Sequence, residues 1–70
     1  MSDPVAEVLR AAADEARAIM RKRGLSLRQA GAEMGVDHST LHRMVEGKMP
    51  STETYLRVRL WLDAPPGDAP

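Results

Sequence analysis

With 70 residues and no cysteine, this chain is one small domain that no disulfide or thiolate metal site can staple. Apolar residues make up 43%, enough for a packed core and too many for a disordered chain. No run of about 18 apolar residues occurs, which excludes a membrane-spanning helix, and the net charge is zero.

That zero hides an asymmetry. Residues 1–16 set Arg10 against Asp3, Glu7, Asp14 and Glu15, a net −3; residues 17–59 carry nine Lys or Arg against four acids, a net +5; residues 60–70 add Asp63 and Asp68, a net −2. A polyanion responds to the local patch rather than the total, so a basic middle between acidic ends is compatible with nucleic acid. Phe is absent, and Tyr55 and Trp61 are the only aromatics. The predicted core is therefore aliphatic. The first residues carry acids where a secretory signal needs bases and an apolar stretch, so a cytoplasmic location is expected.

The first predicted helix covers about residues 3–23. Ser2 or Asp3 caps it and Pro4 suits its first position. Val5, Val8, Leu9, Ala12, Ala16, Ile19 and Met20 recur along one helical face. Arg21, Lys22 and Arg23 complement the dipole in the last turn, and Gly24 follows as a stop.

A second, short helix occupies LSLRQAGAEMG. Ser26 and Gln29 form a capping box, and Leu27, Ala30, Gly31 and Met34 face inward. Gly31 in mid-helix costs about 1 kcal/mol against Ala, which implies close approach by another helix. The third helix spans about residues 37–46. Asp37 caps it, Leu41, Met44 and Val45 form its apolar stripe, and Gly47 terminates it. Pro50 blocks continuation, and Ser51 or Thr52 caps a fourth helix. Its apolar set is broad: Tyr55, Leu56, Val58, Leu60, Trp61 and Leu62. A disordered Pro-rich tail is predicted for residues 63–70. The fold class is all-α, a bundle of four helices with a long first one, forming one domain over residues 1–62.

Both histidines, His38 and His42, lie one turn apart on the third helix, beside Ser39, Thr40 and Arg43. Metal ligation, catalysis and base reading would each use such a cluster. A metal would need a further ligand; Glu46 is one turn on, with no other in evidence, so no metal or other cofactor is expected. Paired carboxylates, a Ser-His-Asp arrangement and a phosphate-cradling glycine loop are all missing, so no enzyme is expected.

Residues 25–62 resemble the Cro/phage-repressor (XRE-type) helix-turn-helix family, with the unit itself at about residues 26–46. The resemblance rests on Gly31 at the helix crossing, Gly35 at the tight turn, Val36 as a plug, Leu41 and Met44 on the inner face, Gly47 after the recognition helix, and Pro50-Ser51 before the next. It implies that the third helix lies in the major groove of double-stranded DNA. On that pattern His38, Ser39, His42 and Arg43 meet base edges. Arg28, Gln29, Thr40, Lys48 and Ser51 meet phosphate, with backbone amides of Arg28 and Gln29 pointing at the strand. Two positions depart from the pattern: Leu27 stands where many members have Gln, and Val45 where they often have Glu. The family usually has a fifth helix, often used in dimerisation; here the chain reaches Pro65 first, so that helix is expected to be missing or supplied by a partner.

Trp61 has three available roles: core filling, a dimer seam, or docking onto a larger protein. The apolar set of the fourth helix exceeds what one side can bury, which favours a homodimer interface at Leu60 and Trp61, with the first helix contributing. The expected function is a dimeric repressor binding a palindromic operator. The alternative is a protein-interaction module, antitoxin or phage accessory protein that meets a second protein through the same apolar surface.

Overall fold

The computed structural model describes residues 3–63, and four helices form there: α1 (Pro4–Arg23), α2 (Leu27–Met34), α3 (His38–Val45) and α4 (Thr52–Asp63). The predicted Pro-rich tail lies outside the described residues, except that Asp63 closes α4.

Each helix begins on a side chain that accepts one of its free N–H groups. The Asp3 carboxylate takes the Val5 amide at 3.0 Å. Ser26 Oγ takes the Gln29 amide at 3.1 Å while Gln29 Oε1 takes the Ser26 amide at 2.8 Å, completing the capping box. Asp37 takes the Ser39 amide at 3.0 Å, and Ser51, not Thr52, takes the Thr54 amide at 3.2 Å. Each cap is worth about 1 kcal/mol, which matters most for α2 and α3. Helices of eight residues are too short to persist without tertiary support.

That support comes from a core drawn from all four helices. Ala12 and Ala16 on α1 and Ala30 on α2 are almost fully buried. Their small side chains let neighbouring backbones approach, so Leu41, Met44 and Val58 are enclosed to 1% exposure or less. Leu9, Met34, Val36, Trp61 and Leu62 complete the cluster, with Ile19, Met20, Leu25, Leu27, Val45 and Tyr55 packed around it.

Two expectations about the apolar faces are corrected. Trp61, expected on an exposed seam with Leu60, is only 4% exposed and fills the core. Val58, Trp61 and Leu62 share the inner side of α4, and the one-turn pair Leu56 and Leu60 faces away from it. Val5 and Val8 belong to the predicted inner face of α1, yet both are exposed. The first two turns of α1 instead border an open apolar groove with Met49, Pro50 and Tyr55.

Candidate nucleic-acid interface

The link between α2 and α3 sets the site. Gly35 adopts φ +77° and its N–H donates to Gly31 O, ending α2 in a left-handed turn that side chains disfavour. The Val36 amide donates to the same Gly31 carbonyl at 2.8 Å, and the Val36 side chain drops into the core. Gly31 is needed for a second reason. A Cβ there would stand 2.5 Å from Val36 O and 3.5 Å from the His38 amide nitrogen, so the tightest approach is by the turn backbone, and the helix expected there, α3, approaches only with its first residue.

α3 is anchored by Leu41 and Met44 on its inner side. The helical repeat then turns Ser39, His42 and Arg43 to solvent, with His38 and Thr40 half-buried at the edges of that face. Hydrogen bonds from the Ser39 hydroxyl and amide hold the Asp37 carboxyl below the usual aspartate range, so the cap stays anionic at the positive end of the helix dipole. His42 Nε2 lies 3.3 Å from Glu46 Oε1, both side chains half-exposed. No group of three metal-ligating side chains occurs among the described residues.

Several predicted site residues converge. Thr40, Arg43, Lys48 and Ser51 line one cleft between α3 and the start of α4, together with Met44, Met49, Pro50 and Thr54. Thr54, not anticipated from the sequence, accepts a hydrogen bond from the Ser51 hydroxyl at 3.0 Å. Arg28 and Gln29 lie apart from this cleft at the start of α2. Among the described residues Arg28, Arg43 and Lys48 enter no ion pair, leaving three cations open to an anion. Gln29 is more constrained than expected. Its backbone N–H and side-chain oxygen are both used in the capping box, so the open amide of the pair is that of Arg28, and Gln29 retains only its side-chain NH₂ as a donor.

Arg17 is a second residue that the sequence does not flag. Its Nη2 donates to Val45 O at 2.6 Å, joining α1 to the last turn of α3. Elsewhere on the surface, Arg23 forms a two-pronged pair with Glu33 at 2.7 and 2.9 Å, so this member of the basic run at the end of α1 is engaged within the fold.

A short helix, a tight glycine turn and a second helix whose outward face carries hydrogen-bonding and cationic groups define a helix-turn-helix, the architecture of DNA-binding regulators. The helix-turn-helix family model HTH_3 matches residues 17–58, and the chain belongs to this XRE-type family of DNA-binding transcription regulators. Searches of curated proteins and of solved structures return no significant match. Among the described residues no helix is long and apolar enough to cross a membrane.

Proposed function

We propose that the protein is a sequence-specific repressor that binds a palindromic operator as a homodimer in the cytoplasm, with α3 in the major groove. The reading is carried by the division of α3 into a buried side, Leu41 and Met44, and an outward side presenting Ser39, His42 and Arg43 with His38 at its edge. Arg43 offers guanine a two-pronged grip. The imidazoles of His38 and His42 and the Ser39 hydroxyl donate or accept at base edges. Lys48, Ser51 and Thr40 line the cleft beside them and would hold one strand, while Arg28 and the Gln29 NH₂ would hold phosphate from the start of α2. A dimer places two such helices on half-sites about 34 Å apart. With Trp61 committed to the core, its seam falls to Leu60 and Leu56 on α4, with Val5 and Val8 available on α1.

Selection of bound sequences from a random duplex pool tests this reading. Enrichment of a palindrome, lost when His42→Ala and Arg43→Ala are combined, is the expected result. Binding without sequence preference, or undiminished binding by the double variant, would remove it. The competing reading is an interaction module or antitoxin on the same fold, favoured by the exposed leucines of α4. It predicts capture of a different protein that Leu60→Glu abolishes, with no operator enriched.

A further inference from the structure

The last turn of α3 accounts for its carbonyls one by one. His42 O and Arg43 O both accept from the Glu46 amide at 3.2 Å, Arg43 O also from Lys48 at 2.9 Å, and Met44 O from Gly47 at 3.0 Å. Among the described residues no backbone amide reaches Val45 O; the Arg17 guanidinium does, at 2.6 Å, from 28 positions upstream on α1. The last carbonyls of a helix need such partners, and a cation there also suits the negative end of the dipole. Asp37 is hydrogen-bonded at the other end, so charged side chains pin both ends of α3. Only Arg17 does so from another helix.

We propose that Arg17 is a positioning residue for base recognition. It fixes the C-terminal end of α3 against α1, and with it the place where His42 and Arg43 meet the bases. This rests on the reading of α3 as the recognition helix. Arg17 itself touches no base and neutralises no phosphate. The position is exposed, so Arg17→Met keeps the side-chain stem and the core while removing the donor.

The test uses the full chain in two measurements. In hydrogen exchange, the Glu46, Gly47 and Lys48 amides of Arg17→Met should exchange about fivefold faster or more than in the parent, as expected for loss of one charge-assisted bond, with the α2 amides unchanged. In titrations at two salt concentrations, affinity for the pool-selected duplex should fall about three- to tenfold, while affinity for a mixed-sequence duplex and the salt dependence stay as in the parent. Equal weakening on both duplexes, with a salt slope smaller by about 1, would make Arg17 a phosphate contact and overturn the proposal. Unchanged exchange, or faster exchange with discrimination intact, would also overturn it. Failure of the recognition-helix reading shows separately, as full-strength binding of the selected duplex by the combined His42→Ala, Arg43→Ala protein.

Discussion

The indole N–H of Trp61 donates to Glu33 Oε1 at 3.0 Å, and that same oxygen accepts from Arg23 Nη1 at 2.7 Å. One carboxylate oxygen thus ties the end of α1 and the far part of α4 to α2. The contact also explains how a chain with one tryptophan inserts it into an otherwise aliphatic core: the ring is buried while its polar edge reaches a partner at the rim.

Substitution at Trp61 separates the two contributions. Trp61→Phe retains most of the packing and loses the donor, and should cost about 1 kcal/mol plus a smaller packing loss. Trp61→Ala should cost about 3–5 kcal/mol. A core of this size supplies no more than that in total, about 3–5 kcal/mol, so Trp61→Ala should be largely unfolded at 25 °C. Urea denaturation followed by far-UV circular dichroism measures both.

Acid should weaken the fold through two carboxylates. Hydrogen bonds from Arg23 and then Trp61 hold Glu33 below its ordinary 4.5, and hydrogen bonds from Ser39 hold Asp37 below its ordinary 3.8. A carboxyl with a depressed folded pKa stabilises the native state fully above its unfolded value, and that contribution is lost as pH falls through the folded value. The contribution of these two carboxyls should therefore be constant from neutrality to about pH 5 and be lost below it. Glu33→Gln and Asp37→Asn should each flatten the decline. Urea midpoints measured across this range would contradict the assignment if the variants kept the parent's slope.

Gly31→Ala gains about 1 kcal/mol of helix propensity but brings Cβ to 2.5 Å from the Val36 carbonyl. Backbone rather than a movable side chain meets the methyl, so the turn must shift. The expected net loss is about 1–3 kcal/mol, read as a lower midpoint in thermal unfolding. Ala32→Gly one position on, at an exposed site, should show only the propensity penalty of about 1 kcal/mol.

Lys48→Ala tests the proposed phosphate contacts. Lys48 lies in the cleft with Arg43 and Ser51 and makes no ion pair within the described residues. Its removal should weaken selected and mixed-sequence duplexes alike and reduce the salt slope by about 1. A loss confined to the selected duplex would move Lys48 to the base-reading group.

Leu60→Glu, with Leu56→Glu as its companion, tests the proposed dimer. Leu60 is 69% and Leu56 53% exposed, so neither change disturbs the core. Sedimentation equilibrium should show dimers for the parent and monomers for the variants at equal helix content. A parent that stays monomeric at every concentration would end the proposal.

Much of this fold is legible in the sequence because its signals are local. Asp3, Ser26 with Gln29, Asp37 and Ser51 announce helix starts through contacts within three residues, and Gly35 announces the turn. The faces of α2 and α3 follow from a narrow apolar stripe. α4 defeats the same reasoning: with Tyr55, Leu56, Val58, Leu60, Trp61 and Leu62 spread around its circumference, the pattern does not say which side faces in. Only tertiary packing assigns Trp61 to the core and Leu60 to solvent. Val5 and Val8 mislead for a related reason, since a helical stripe persists even where α1 borders an open groove. The Arg17–Val45 and Trp61–Glu33 bonds each join residues 28 positions apart and have no local signature.

The burial pattern of α3 has an evolutionary consequence. Ser39, His42 and Arg43 contribute nothing to the core, whereas Leu41 and Met44 beside them are enclosed to 1% or less. Mutations at His42 and Arg43 therefore leave the core intact, and one at Ser39 costs only its side-chain bond to the Asp37 cap, while their inward neighbours are locked. If α3 reads bases as proposed, a lineage built on this scaffold can exchange one target sequence for another in a few steps without first acquiring a stabilising change.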